Sequence, residues 1–164
     1  MKLSKYKNTD LVKQATLVLL IKDNQILLAM KKRGFGKGRW NGVGGKLKID
    51  ESIENAAKRE TMEEIGIQIN AFTEVGRLSF YFSNNSDWNQ KVIVYIADKW
   101  TGEPVETEEM APKWFSIKEI PFETMWPDDK YWFPLVLQGK KIKASFLFGD
   151  GDVVEDMEIT EVFS

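Results

Sequence analysis

Hydrophobic and polar positions alternate in blocks along this chain, and the blocks read directly as elements. Ala15 to Ile21 is an apolar run interrupted only by Thr16, the pattern of a strand buried on both faces. The polar stretch Lys22-Asp23-Asn24-Gln25 predicts a turn, and Ile26 to Met30 a second strand. Further strands are predicted over Thr73 to Phe82 and Lys91 to Trp100, joined across the polar tip Ser83 to Asn89, and over Lys113 to Ile117. Asp150-Gly151 is a hairpin turn between Ile142 to Phe148 and Val153 to Ile159.

Two segments carry helical signals. Residues 51 to 66 contain Ala56 and Ala57, no proline, Ser52 as a side-chain N-cap and Gly66 as a left-handed C-cap. A second helix is predicted from Pro127 through Tyr131 and Trp132 to Gly139, kinked or broken at Pro134. Residues 1 to 13 are expected to hang loosely and residues 14 to 164 to form one domain. Mixed strands flanked by helices predict an α/β or α+β sandwich.

The first helix poses a chemical problem. Glu60, Glu63 and Glu64 stand at i, i+3 and i+4 and share a face. Stepping back along that face reaches Ala56, Ala57 and Ile53, its apolar side, while Asn55, Lys58, Arg59 and Met62 are placed round the back. An acidic helix is usually a solvated face, but that arrangement would expose the apolar stripe or bury the acids. Three carboxylates beside a packed face repel one another and lose hydration unless a cation neutralises them. Oxygen-only ligands select Mg²⁺ or Mn²⁺.

Composition removes other chemistries. The 164 residues are 43% hydrophobic, enough for one sizeable core, and the net charge of −2 argues against binding a nucleic acid polymer through bulk charge. With no Cys and no His, thiol chemistry is excluded and base catalysis falls to carboxylates, Lys or metal-bound hydroxide. No segment approaches the ~18 apolar residues of a membrane span. A reduced, cytoplasmic setting and a monomer are expected.

Residues 31 to 48 carry Lys31, Lys32, Arg33, Lys37, Arg39, Lys46 and Lys48 without one acid, among six glycines. Alone this reads as a solvated loop. Beside the acidic helix it predicts a polyphosphate site, with glycine amides and basic side chains on one side and a metal on the other. Farther on, Trp126-Pro127-Asp128-Asp129 sets two acids at a helix start. They are either ordinary helix-end acids or, beside a stacking indole, a carboxyl pair sharing a proton and offering a donor and an acceptor to a purine edge.

The spacing Gly45, Glu51, Arg59-Glu60-Thr61-Met62-Glu63-Glu64-Ile65-Gly66-Ile67 resembles the box of the Nudix hydrolases. Thr61 departs from it, since an aliphatic residue is usual there. Beyond the box, Met30 to Gly36, Gly38 to Gly42, Met125 to Asp129 and Tyr131 to Leu135 resemble the animal MutT-homologue branch of that family. The likeness runs from Thr16 onward.

The resemblance implies the Nudix α/β/α sandwich with a mixed sheet, and Mg²⁺-dependent hydrolysis of oxidised purine nucleoside triphosphates such as 8-oxo-dGTP to the monophosphate and pyrophosphate. It assigns the metal to Gly45, Glu60, Glu63, Glu64 and Glu109, with Glu108 competing for the last place. Glu51 and Arg59 would orient the cluster. Asn41, Asp128 and Asp129 would read the base edge, Trp126, Phe80, Phe82 and Phe35 would wall it, and Thr16 and Lys31 would line the same pocket. Phe80 and Phe82 are equally expected as core. The loop Ser86 to Gln90 is one residue longer than in that branch, and a pocket methionine of the branch has no partner here. Two alternatives stand beside this: a Nudix hydrolase for another nucleoside diphosphate derivative, or a Nudix-shaped binding module without chemistry.

Overall fold

A computed structural model describes residues 2–162. Strands β1 (Gln14–Lys22) and β2 (Gln25–Lys31) are joined by Asp23 and Asn24, whose φ of 53° and 62° suit a two-residue hairpin loop. There follow β3 (Trp40–Asn41), α1 (Ile53–Ile65), β4 (Gln68–Phe82), β5 (Gln90–Thr101), β6 (Met110–Ser116), α2 (Asp129–Leu137), β7 (Ile142–Phe148) and β8 (Val154–Glu161). The strands form one sheet in the order β3-β2-β1-β5-β4-β7-β8, with β6 also paired to β2. The β1–β5 and β4–β7 pairs are parallel and the others antiparallel, so the sheet is mixed as expected.

Alternate residues of β1 and β2 serve opposite layers. Leu17, Leu19, Ile26 and Leu28 pack with Trp132, Phe133 and Val136 of α2, while Val18, Leu20 and Leu27 pack with Ala57 and Ile65 of α1. Burial of both faces accounts for the unbroken apolar runs. Ser52 accepts from the Asn55 amide, and Gly66 closes α1 at φ 73°. Thr61 is fully buried, its hydroxyl donating to the Ala57 carbonyl at 2.7 Å, so the polar substitution in the box leaves no unpaired group. Helix α2 is shorter than predicted and runs through Pro134 without a break, because Trp132, Phe133 and Val136 on both sides of it are buried. Among the described residues, no helix is long and apolar enough to cross a membrane.

The feature that positions the site is a fork. Strands β1 and β2 pair only where Leu20–Lys22 meets Gln25–Leu27. Beyond that they separate, and residues 40–46 fill the wedge: Trp40 and Asn41 pair with Met30 and Ala29, while Val43 and Lys46 bridge to Val18 and Ala15. A methyl group on Gly44 would lie 1.8 Å from the Thr16 carbonyl oxygen, so no other residue fits there. Gly44 thus serves backbone contact between strands, a different role from the anion-cradling one predicted for the loop glycines.

The N-terminal segment departs from expectation. Residues Lys2–Lys5 form a 3₁₀ turn, and Leu3 is wholly buried with Tyr81 and Leu147. The Leu3 amide donates to Asp156 at 2.8 Å, fastening the chain's start to β8. Three apolar positions, Leu3, Tyr6 and Leu11, do this, too sparse a pattern for periodicity to register. Replacing Leu3 by Ala is expected to lower unfolding stability by about 2 kcal/mol or more in urea titrations. A change below about 0.5 kcal/mol would mean that the segment contributes nothing.

Candidate active site

A cavity of about 480 Å³ opens between the wedge, α2 and the β4–β5 connection. Thr16, Lys31, Phe35, Asn41, Phe80, Phe82, Trp126, Asp128 and Asp129, every base-pocket residue predicted from sequence, line it. Among the described residues, three buried side-chain polar atoms have no hydrogen-bond partner: Thr16 Oγ1, Arg39 Nη1 and Asp129 Oδ2. All three residues line this cavity. Buried polar groups are rarely left unpaired, so the cavity is built for a ligand with polar groups to match.

Asp128 and Asp129 begin α2 and are both buried. Asp128 makes no capping bond; its Oδ2 accepts from Trp132 Nε1 at 2.8 Å, one helical turn on. The helix-end explanation therefore does not account for Asp128. Burial pushes both carboxyls above the ordinary aspartate range, and for Asp129 the adjacent Asp128 charge adds to the rise. The Trp132 N–H acts in the opposite direction on Asp128. The pair thus favours one ionised carboxylate and one protonated carboxyl, a donor and an acceptor side by side.

Aromatic rings surround this pair. The Arg39 guanidinium lies 4.0 Å over the Trp126 ring, and Phe35 approaches Trp126 at 5.0 Å. Phe80 stacks on Phe146 and Phe148 while also lining the cavity, so it is at once core and wall. Phe82 is the same, stacked on Phe148 at 5.1 Å.

The wedge connects the cavity to the acids of α1. Gly45 borders the cavity, and a methyl on it would sit 2.5 Å from the Glu60 carboxyl carbon. The Gly45 carbonyl accepts from the Thr16 amide at 2.9 Å, leaving one lone pair. Glu64 is buried, and its Oε2 accepts from the Gly44 amide at 3.3 Å. Burial lifts its carboxyl to about 8, with the Glu60 and Glu109 charges adding to the rise.

Arg59, placed round the back by helix geometry but joined to Glu51 by the family resemblance, grips the acidic face. It donates to Glu51 Oε2 at 2.7 Å, Glu60 Oε1 at 2.7 Å and Glu63 Oε2 at 3.1 Å, and to the Lys46 carbonyl. This guanidinium holds Glu51 down at about 2. Among the described residues, no three acids converge closely enough to hold an ion as they stand. The donor set nevertheless fits a hard divalent cation: it is oxygen-only, and Glu64 is buried against like charge that a cation would relieve. Binding would draw Glu60 and Glu63 from Arg59.

Much of the basic loop is already paired. Lys32 bonds Glu106 and the Thr107 carbonyl, Arg33 bonds Glu109 at 3.3 Å and approaches Glu108, and Arg39 bonds Asp152 at 3.1 Å. Lys31, Lys46 and Lys13 line the cavity, and the first two belong to the predicted basic loop. Of the competing acids, Glu109 raises the Glu64 carboxyl by its charge and Glu108 is the more exposed.

A NUDIX domain model matches residues 12–136. The chain belongs to the Nudix family. It is 48% identical over 149 residues to the oxidized purine nucleoside triphosphate hydrolase of Mus musculus, covering 91% of this chain and 95% of that one. The Danio rerio protein of the same name is 45% identical over 150 residues, covering 92% and 96%. The crystal structure of the MutT protein of Bacillus halodurans superposes with a TM-score of 0.80 at 24% identity, covering 90% of this chain and 97% of that one. The α/β sandwich is thus a Nudix fold, and the family's hydrolases use a divalent metal.

Sequence reasoning missed Trp132 as the partner of Asp128, although the i, i+4 spacing was legible. Lys13, Asp87 and Trp88 were also missed, since their segments read as a loose tail and a polar tip. Replacing Asp129 by Asn tests the buried pair. Its raised folded-state carboxyl costs stability above the unfolded value of about 4 and nothing below it. The variant should therefore gain about 1 kcal/mol or more at pH 7.5, and that gain should vanish towards pH 3.5 in urea titrations. A gain independent of pH would contradict the assignment.

Proposed function

We propose that this protein hydrolyses oxidised purine nucleoside triphosphates of the 8-oxo-dGTP type to the monophosphate and pyrophosphate, clearing them from the nucleotide pool. One observation carries the reading: an aromatic cavity holding a buried carboxyl pair shares the Gly44–Gly45 backbone with the acidic helix. The printed names of the Mus musculus and Danio rerio relatives point the same way.

In this reading, Asn41, Asp128 and Asp129 meet the base edge, with Asp129 the protonated member and Asp128 the acceptor. Trp126, Phe35, Phe80 and Phe82 enclose the ring, and Thr16 and Lys31 line the same pocket. Lys31 and Lys46, which line the cavity, attract the charged tail. Glu60, Glu63 and Glu64, with Glu109 and the Gly45 carbonyl, would hold Mg²⁺ or Mn²⁺. When bound, that cation neutralises the phosphates and activates water for substitution at phosphorus. Arg59 and Glu51 position the acids, and Arg59 neutralises them before substrate arrives. The setting is the cytoplasmic nucleotide pool, and the protein acts as a monomer on a small molecule.

Parallel turnover with 8-oxo-dGTP, dGTP and ADP-ribose tests the proposal. The first should be preferred, with Mg²⁺-dependent release of pyrophosphate. Preference for ADP-ribose would identify a Nudix hydrolase of another substrate, and no turnover of any of them would favour a binding module. Replacing Glu63 or Glu64 by Gln is expected to lower kcat about a hundredfold or more without unfolding the chain. Full turnover in the double variant would contradict the metal assignment.

A further inference from the structure

The connection from β4 to β5 is polar except for one residue. Trp88 stands among Ser83, Asn84, Asn85, Ser86, Asp87 and Asn89, and it is 41% exposed while lining the cavity. A half-exposed indole on a mobile loop would need no explanation. This loop is tied down. Asn85 Oδ1 accepts from the Asp87 amide, and the Trp88 amide donates to the Asn85 carbonyl at 3.1 Å. Asn89 Oδ1 accepts from the Phe82 amide at 2.7 Å, and Lys13 Nζ donates to the Asp87 carbonyl.

The ring so held completes a circuit. Trp88 lies 5.1 Å from Phe35 and 5.6 Å from Phe82, and these lie 5.0 Å and 6.4 Å from Trp126. Phe35 and Phe82 also meet edge to face at 6.2 Å, so the four rings form one continuous aromatic patch with a tryptophan on either side of the phenylalanine pair. Trp88 and Phe35, each 41% exposed, form the outer rim. A flat base seated against Trp126 would cover that rim and remove its apolar surface from water.

We infer that Trp88 is a specificity-determining residue, the outer aromatic wall that favours a two-ring base over a one-ring base. The inference rests on the nucleotide reading above and adds a residue to it. A bicyclic base has more flat apolar surface to lay against that rim than a pyrimidine has. Trp88 packs on Phe35 and Phe82, both walls of the base end of the cavity, so its effect is expected on binding of the base.

The test replaces Trp88 by Ala, Phe and Leu and measures turnover of 8-oxo-dGTP and of an oxidised pyrimidine triphosphate. Fluorescence titration with 8-oxo-dGMP under chelation gives a readout independent of metal and chemistry. For the Ala variant, KM for the purine should rise about tenfold with kcat within about twofold, and the purine preference should shrink. Phe should restore most of the affinity and Leu, equally apolar but not flat, should not. An Ala variant with purine KM within about twofold of the parent would overturn the inference, as would a Leu variant equal to it. If the parent protein neither turns over nor binds oxidised purine nucleotides, the proposed function fails instead. The same variants are then compared on the nucleotide the parent does prefer, where an unchanged KM overturns the role of Trp88.

Discussion

A single close approach governs this structure. The Gly44 backbone lies so near the Thr16 carbonyl that a side chain has no room, and Gly45 lies close against the Glu60 carboxyl, where a methyl would sit at 2.5 Å. Because that backbone is pressed between β1 and α1, one short segment presents Asn41 to the cavity and an amide to Glu64. The base-sized space and the acids are therefore two ends of one rigid seam. In the proposed reading, a substrate spanning both carries a flat, hydrogen-bonding head and a polyanionic tail.

Electrostatics divide the seam into two regions. Around α1, Arg59 holds Glu51, Glu60 and Glu63, so these acids are neutralised from one side. Glu64 lies deeper, where burial keeps its proton on at neutral pH. At the far end, Asp128 and Asp129 are desolvated by aromatic neighbours with no metal chemistry at hand. The same kind of group thus meets opposite surroundings: carboxylates held in charge by Arg59 at one end, and a desolvated pair that favours one proton at the other.

What was legible in the chain follows from the range of each interaction. Strands, turns and α1 declare themselves through local periodicity, caps and the Asp23-Asn24 and Gly151 turns, which depend on neighbours a few residues away. Trp126, Asp128 and Asp129 stood out by their own chemistry, the other six predicted cavity residues came by likeness to a family, and no local rule would bring Thr16, Phe82 and Asp129 together. Three features needed the folded chain. Leu3 gains its place from Tyr81 and Leu147, far along the sequence. The link of Arg59 to Glu51 was implied by the family resemblance, but its reach to the Lys46 carbonyl, outside α1, was not. Lys32 and Arg33 spend their charge on the 106–109 run, which the basic loop's composition could not disclose.

The central claim is that one bound nucleotide touches both ends of the seam. A crystal structure with Mn²⁺ and a non-hydrolysable analogue of 8-oxo-dGTP, with the ion located by its anomalous signal, tests this most directly. The account predicts the oxidised ring within hydrogen-bonding distance of Asn41, Asp128 and Asp129, and manganese on Glu60, Glu63 and Glu64 beside Gly45. A ring bound outside the aromatic cavity, or manganese bound away from α1 with Arg59 still holding Glu60 and Glu63, would contradict it.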